Sequence, residues 1–399
     1  MSELEFAPLR LRRKEERRLR KGHLWVFSNE VDVKATPLTD LEPGQPVEVQ
    51  DHQGRALGTG YANPHSLICA RLVSRSRQHP FGSSLIVHRL NLALSLRRRL
   101  FVTPHYRLVH GEGDGLPGLV VDRFDDVLVV QTTTAGMERM LEAIVTALHR
   151  VVAPRAIYLR NDNPIRELEH LPLYAEPALG EVPEEVEVVE HGVAFVTPLI
   201  KGQKTGWFYD QADNRGSVGR YVQGSHVLDV FSYTGAWAMH AALAGAESVL
   251  CVDDAVHARA WVDANARRHG LEGRVETMVA DAFQALRSLR ESRRRFDVVI
   301  LDPPAFIKRK KDMDAGLEAY RRLNQMAIQV ADRDAILISS SCSYHLARST
   351  LVQQIYDAAR HLDRGMQVVA HGHQSVDHPN HPAIPETAYL KTVFARVAA

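Results

Sequence analysis

The chain reads as an α/β protein built on a parallel sheet in its last half and preceded by a small β domain and a mixed region. Three observations predict this. From about residue 197, short apolar runs alternate with helical patterns, which implies βαβ units. From about residue 5 to 75, short strands are punctuated by turn residues. Between these regions, to about residue 190, strands and helices mix without strict alternation. A length of 399 residues, 45% of them hydrophobic and 24% charged, gives two or three domains that each bury a core. The same usage excludes a disordered or collagen-like chain.

The elements follow in order. Pro46 to Gln50, the Asp51-His52-Gln53-Gly54 turn, Ala56 to Tyr61 and Leu67 to Val73 make the first β region. A helix is expected over Ser83 to Leu100, where Leu85, Ile86, Leu90, Ala93, Leu94 and Leu96 recur near helical spacing. Strands at Leu119 to Asp122, Val127 to Gln131 and Ala156 to Arg160 surround a helix over Met137 to Val151. Val186 to Val196 reads as a hairpin around His191-Gly192. Five strands follow, at His226 to Val230, Ser248 to Asp253, Val275 to Ala280, Asp297 to Asp302 and Ala335 to Ser339. Helices Trp237 to Ala244, Ala255 to His269, Phe283 to Ser292 and Gly316 to Ala331 lie between them. Gln367 to His371 and Lys391 to Val397 are separated only by a proline-rich loop, so an antiparallel pair is expected.

Charge is balanced, with 49 Lys+Arg against 48 Asp+Glu, so any basic surface must arise from uneven placement. Arg10 to Lys21 holds eight basic and two acidic residues, and further clusters occur at Arg97 to Arg99, Arg293 to Arg295 and Lys308 to Lys311. A single such run reads equally well as a solvated helix face; several on separate segments favour a polyanion partner. Three scattered cysteines, Cys69, Cys251 and Cys342, fit neither a disulfide framework nor a zinc site and point to a reducing compartment. No run of 18 apolar residues occurs. A soluble cytoplasmic protein with no membrane partner is expected.

Open α/β sheets bind ligands at the carboxyl ends of their strands, so those ends locate the chemistry. The first strand of the sheet ends in Asp229-Val230 and leads into Phe231-Ser232-Tyr233-Thr234-Gly235, whose glycine permits close approach of the backbone to a ligand. A GxGxxG diphosphate loop is absent. The second strand ends in Asp253, suited to a ribose diol, and the third is followed by Asp281, suited to an adenine amino group. Each aspartate alone is more readily a helix cap. Three in succession suit a nucleoside that carries positive charge and no phosphate, and S-adenosylmethionine (SAM) is such a ligand.

The fourth strand ends in Asp302-Pro303-Pro304-Ala305-Phe306, and the fifth runs into Ser339-Ser340-Ser341-Cys342-Ser343. Asp302 and Cys342 therefore fall at one edge of the sheet, with Phe306 available to stack on a flat ring. A strand cysteine is ordinarily a small hydrophobe, but here its position matches a need. Carbon 5 of a pyrimidine becomes nucleophilic only after a thiolate adds to carbon 6. Asp302 would hold the amino and N3 edge of a cytosine. Lys21-Gly22-His23-Leu24-Trp25 joins basic charge to an aromatic beside the small β domain, as RNA docking requires, although a structural tryptophan with a charged rim reads equally well. His371, His373, His378 and His381 match no zinc spacing; no metal is expected, and a proline-stiffened loop near the substrate is the reading for them.

On HGEGDGLPGLVVDRF (110–124), KGQKTGWFYDQADNR (201–215), LDVFSYTGAWA (228–238), LDPPAF (301–306), SSCS (340–343) and DHPNHPAIPETAYLK (377–391), the chain resembles the large-subunit (23S) ribosomal RNA cytosine-5 methyltransferases of the RlmI type over essentially its whole length. That resemblance implies a PUA β-barrel over residues 1–75, a central α+β domain with a linker helix over 76–190, and a Rossmann-like, seven-stranded class I methyltransferase domain over 191–399. It implies cofactor roles for Asp229, Gly235, Asp253 and Asp281, with Phe231 and Tyr233 in the same loop. Thr205, Gly206, Gln211 and Arg215 would lie across the methionine end of SAM. It implies Cys342 as nucleophile and Asp302 at the target base; Asp302 is also expected among the cofactor-binding residues, and Phe306, Lys308, Lys21, His23 and Trp25 are expected on the RNA side from their own chemistry. Ribosomal RNA is the implied partner, and a homodimer is admitted. Related RNA cytosine methyltransferases carry a second cysteine beside the strand-four aspartate; Pro303-Pro304 stands there, so product release must use something else. Methylation of uracil carbon 5 or of an exocyclic nitrogen, and RNA binding without catalysis, are the alternative activities.

Overall fold

The computed structural model describes residues 5–399; the first four residues of the expected 1–75 domain lie outside it. The chain forms two compact units. One contains the chain up to Glu184 together with Leu199–Trp207 and Val376–Thr387, and the other contains Glu185–Pro198, Phe208–Ser375 and Ala388–Ala399.

The first unit holds two five-stranded sheets. Strands β1 (Ala7–Arg10), β2 (Trp25–Val26), β3 (Gln45–Gln50), β4 (Ala56–Ala62) and β5 (Ala70–Ser74) run in the order β1-β3-β4-β5-β2. Leu9, Val26, Val47, Val49 and Leu72 fill the core they share. The β3–β4 turn is closed by Asp51, whose Oδ1 accepts the amides of Gln53 and Arg55 while Gly54 takes a positive φ of 80°. The second sheet, β6 (His105–His110), β7 (Leu119–Phe124), β8 (Val127–Thr132), β9 (Ala156–Asn161) and β10 (Tyr174–Leu179), runs in the order β10-β9-β8-β7-β6. Helix Ser83–Leu100 occupies the expected span and buries Leu85, Ile86, Leu90 and Leu94. The helix expected over Met137 to Val151 is two pieces, Ala135–Arg139 and Leu141–Val152, because Met140 leaves helical geometry at ψ 7°.

The second unit begins with the hairpin of β11 (Glu185–Glu190) and β12 (Val193–Pro198). His191 and Gly192 both have positive φ, 49° and 81°, the geometry that matches a two-residue turn to strand twist. Seven strands follow: β13 (His226–Val230), β14 (Ser248–Asp253), β15 (Val275–Val279), β16 (Phe296–Leu301), β17 (Ala331–Ser341), β18 (Gly365–His373) and β19 (Lys391–Ala398). Their order is β15-β14-β13-β16-β17-β19-β18, with β19 antiparallel to both neighbours and the first five strands parallel. The α/β class is thus observed. Runs such as Phe296-Asp297-Val298-Val299-Ile300-Leu301 are apolar almost throughout because a parallel strand is covered on both faces. Leu228, Val230, Leu250, Val252, Val299, Leu301 and Leu337 pack with the helices into one core.

The expected β18–β19 pairing is present, but β18 runs to His373, opposite Lys391. His371 and His373 therefore belong to a strand of the second unit, whereas His378 and His381 fall in the Val376–Thr387 segment of the first. The four histidines do not share one loop. Helix Arg348–His361 carries the chain from β17 to β18 and was not anticipated.

One ion pair underlies the second unit. Arg215 donates to both oxygens of Glu190 at 2.7 and 2.6 Å and to the Phe208 carbonyl at 2.7 Å, and both charged side chains are 4% exposed. Burial would raise the Glu190 carboxyl; the Arg215 guanidinium overcomes it and holds that carboxyl far below the carboxylate range. Glu190 therefore contributes stability above the ordinary glutamate pKa, and the contribution is lost as pH falls through its folded value. Arg215→Met leaves the buried Glu190 carboxylate without its guanidinium, with His240 still at Oε1, and is expected to cost about 3 to 5 kcal/mol in urea unfolding at pH 7, with the added Glu190→Leu recovering much of that loss.

Candidate functional site

The sheet order reverses at β13, which has β14 on one side and β16 on the other, and the carboxyl ends at such a reversal are where open α/β sheets bind ligands. The loop after β13 is unusual in backbone geometry. Phe231, Tyr233 and Gly235 all take positive φ, at 70°, 49° and 78°, a conformation that costs a non-glycine residue about 1 kcal/mol or more. The neighbouring strand holds it there. Phe231 and Ser232 donate to the Val252 carbonyl at 2.8 and 3.1 Å, and Tyr233 donates to Asp253 Oδ2 at 2.9 Å. Asn265 donates to the Thr234 carbonyl at 3.0 Å. A Cβ on Gly235 would lie 3.2 Å from the Val262 side chain, a tight contact, so the position favours glycine chiefly through its positive φ.

Beneath this loop Asp229 is fully buried, and neither carboxylate oxygen has a full hydrogen-bond partner among the described residues. The buried Thr234 hydroxyl is likewise unpaired among them. Burial pushes the Asp229 carboxyl up to about 8, the charges of Asp302 and Asp253 add to the rise, and the Ala238 amide and Arg215 oppose it only in part. Orphaned acceptors in a buried acidic pocket fit a ligand that brings cationic donors.

Asp302, just past β16, is partly exposed. Its Oδ1 accepts from Gln211 Nε2 at 2.7 Å and its Oδ2 from the Trp237 indole at 3.2 Å. Gln211 is itself held by Asn214, which also donates to the His373 carbonyl and the Thr392 hydroxyl. Desolvation raises the Asp302 carboxyl and Asp210 raises it further, while Trp237, Arg215 and Gln211 counteract. Trp237 and Asn214 were missed in the sequence. Trp237 was legible as an aromatic in the first turn after the glycine loop; Asn214 carries no pattern of its own.

Cys342 follows the last residue of β17, and the register that sets Leu301 opposite Ser339 brings it to the same end of the sheet as Asp302. It is partly exposed, whereas Cys69 and Cys251 have no exposure. Burial pushes the Cys69 thiol up to about 12 and the Cys251 thiol well above its usual value. The serines around Cys342 tie two loops together: Tyr320 Oη meets Ser341 Oγ at 2.8 Å and Ser343 Oγ at 3.0 Å, and Ser343 Oγ accepts the Ile307 amide. The Asp302-to-Ile307 loop and the cysteine loop are thereby held together.

The remaining expected residues are distributed as follows. Asp253 uses Oδ2 on Tyr233 and Oδ1 on the Ala255 amide, so it braces both the loop and the next helix. Exposed Asp281 caps helix Ala282–Glu291 through the amides of Phe283 and Gln284. Phe306 leans on Tyr320 with ring centroids 4.8 Å apart, and Lys308 is exposed. Thr205 and Gly206 belong to the first unit, where the Thr205 hydroxyl donates to Asp122 at 2.5 Å. Lys21 is exposed; His23 is partly buried, with its ring nitrogen accepting the Trp25 amide; and the Trp25 indole donates to Glu112 at 2.8 Å. Among the described residues no three His, Cys, Asp or Glu side chains gather to hold a metal ion, and no helix is long and apolar enough to cross a membrane.

Comparison with known proteins gives this end of the sheet its context. The PUA-like domain family model matches residues 9–75, and the S-adenosylmethionine-dependent methyltransferase model matches residues 106–342. Ribosomal RNA large subunit methyltransferase I from Klebsiella pneumoniae is 34% identical over 402 residues, covering all of both chains. The protein of that name from Erwinia tasmaniensis is 35% identical, covering 96% of this chain and 97% of its own. This chain belongs to the ribosomal RNA large subunit methyltransferase I family. As a family member it is an S-adenosylmethionine-dependent methyltransferase with a PUA-like domain. A solved methyltransferase from Streptococcus mutans shares the fold at a TM-score of 0.83, with 21% identity over 98% of this chain and 100% of its own. The structure of SMU.776, a methyltransferase complexed with SAH, is equally similar at a TM-score of 0.84, 21% identity and the same coverage of both chains.

Asp229 yields a prediction independent of any ligand. Its folded pKa of about 8 lies above the unfolded value of 3.8, so its contribution is complete below 3.8 and declines as pH rises toward 8. Asp229→Asn removes that decline. The variant is expected to be more stable than the parent at pH 7.5, on the order of 5 kcal/mol, and nearly equal to it at pH 4, as read from paired urea titrations.

Proposed function

We propose that this family member transfers a methyl group from SAM to carbon 5 of a cytosine in large-subunit (23S) ribosomal RNA, through a covalent adduct between Cys342 and carbon 6. The observation that carries the reading is the placement of the one partly exposed cysteine at the carboxyl end of β17, the end of the sheet that also carries Asp302. The names of the curated relatives support the RNA substrate, and the family model supports the cofactor.

Asp229 and the Phe231–Gly235 loop, with Tyr233, are the residues suited to the cationic end of the cofactor; Asp253 and Asp281 are suited to its nucleoside. Gln211, itself held by Asn214, acts there by orienting Asp302, while Arg215, paired with Glu190, acts on Asp302 and Asp229 only through its charge. Bound SAM supplies an electrophilic methyl group on a sulfonium. The Cys342 thiolate adds to carbon 6, and the electron pair displaced from the 5,6 double bond makes carbon 5 nucleophilic. Asp302 retains a lone pair on each oxygen and, with its carboxyl raised toward the protonated form, shares a proton with N3 and accepts from the amino group. After methyl transfer a base takes the carbon 5 proton and the thiolate leaves.

Phe306 offers a ring edge to the base, and Lys308 with its basic neighbours offers charge to the backbone. Around the PUA-like domain, Lys21 and the Trp25 ring are the RNA-facing pair, with the indole N–H already committed to Glu112. A reducing cytoplasm, where Cys342 stays a thiol, is the compartment this chemistry requires.

Full-length Cys342→Ala is expected to lose at least about a thousandfold in methyl incorporation while binding SAM within twofold of the parent. Nucleoside mass spectrometry of the product is expected to show 5-methylcytidine. Retained turnover would remove the nucleophile assignment; 5-methyluridine or an N-methylated base would move the activity to the alternative chemistry.

A further inference from the structure

Lys391 opens β19 and sits opposite Ser341, the residue that precedes Cys342. Its side chain is only 6% exposed, and its ammonium donates to the carbonyls of Ser343 at 2.6 Å and Leu346 at 2.8 Å. The turn carrying Cys342 thus wraps a buried cation by its own backbone. A buried ammonium without a counterion is expensive, and two carbonyl dipoles compensate it only in part. Neither carbonyl carries a full charge, so the site lacks an anion.

The groups that act on Lys391 come from each element around it. Cys342, on the adjoining turn, favours the cation through its thiolate; Arg348, on helix Arg348–His361, disfavours it; no carboxylate contributes. Arg348 is directed to the Gly372 and Thr392 carbonyls. Tyr320, on helix Met313–Val330, is occupied by Ser341 and Ser343, and its own hydroxyl is held in the neutral form chiefly by burial. Among these groups Cys342 is the one that can supply an anion, in its thiolate form.

We propose that Lys391 is a positioning residue for the reaction: it fixes a positive charge against Cys342 and stabilises the thiolate that attacks carbon 6. This rests on the reading of Cys342 as the nucleophile. Burial lowers the Lys391 ammonium to about 8, so the charge is present at neutral pH and is withdrawn as pH rises through that value.

The test reads the thiol directly. Full-length protein is alkylated with iodoacetamide across pH 5.5 to 9.5, and modification of Cys342 is followed by peptide mass spectrometry; Cys69 and Cys251 are shielded by burial. Lys391→Met is expected to slow alkylation of Cys342 about tenfold at pH 7 and to move its pH midpoint upward, with Lys391→Arg restoring most of the rate. A parental rate and midpoint in a Lys391→Met protein that still binds SAM would overturn the proposal. Because coupling between two sites is reciprocal, Cys342→Ser provides a second measurement that leaves the lysine contacts in place. It is expected to shift the Lys391 titration downward in 15N NMR, and an unchanged titration overturns the proposal even if Lys391→Met fails to fold. Turnover by Cys342→Ala would overturn the nucleophile reading instead, and neither the alkylation nor the NMR result depends on turnover.

Discussion

The second unit is organised around uncompensated negative charge at the point where the sheet reverses its strand order. Asp229, Asp253 and Asp302 are brought within electrostatic reach of one another by β13, β14 and β16, and their mutual repulsion, added to desolvation, holds Asp229 toward its protonated form. A folded chain does not retain such a cluster for stability, since each carboxylate would be better hydrated in the unfolded state. The cluster makes sense as a receptor for a cation. Binding of a positively charged nucleoside there would lower the Asp229 pKa and release a proton, so the repulsion among the carboxylates favours a cationic ligand.

Arg215 shows how the cluster is kept acidic. Its guanidinium is near enough to Asp302 and Asp210 to be influenced by both, and it could have neutralised the cluster. Glu190, presented by the β11 strand, takes it in a two-pronged ion pair instead. Asp302 is then left to neutral donors: Gln211, Trp237 and, behind Gln211, Asn214. Neutral donors fix the direction of the Asp302 carboxylate without cancelling its charge, and that leaves its protonation responsive to whatever base lies against it.

What was legible in the sequence followed from local chemistry. Helix Ser83–Leu100 and strands β13 and β14 had their observed bounds because apolar periodicity and turn residues are local signals. The strand-end aspartates were visible for the same reason. Asp281, however, occupies its side chain as a helix cap, the local alternative that sequence could not separate from a ligand contact. The extra length of β17, the helix after it, and the membership of Val376–Thr387 in the first unit depend on long-range pairing, which no window of residues contains. Lys391 was seen only as the start of a late strand; that it is buried beside Cys342 depends on β19 inserting antiparallel between β17 and β18.

The contrast between Cys251 and Cys342 shows that register, more than residue type, decides which thiol can react. Cys251 lies in the middle of β14 opposite Asp229 and Thr277, covered on both faces, where burial and nearby carboxylates disfavour its thiolate. Cys342 lies one residue beyond a strand that outruns its neighbour β16, so the sheet that buries the first thiol presents the second. Strand β17 can extend that far because β19 pairs with it up to Ser341 and places Lys391 there in place of an apolar side chain. An antiparallel strand inserted into an otherwise parallel sheet thus closes a core and also carries a positive charge to the end of the sheet where the aspartates leave none. Exposure comes from the length of β17 and the nearby positive charge from β19, and the proposed nucleophile draws on both strands.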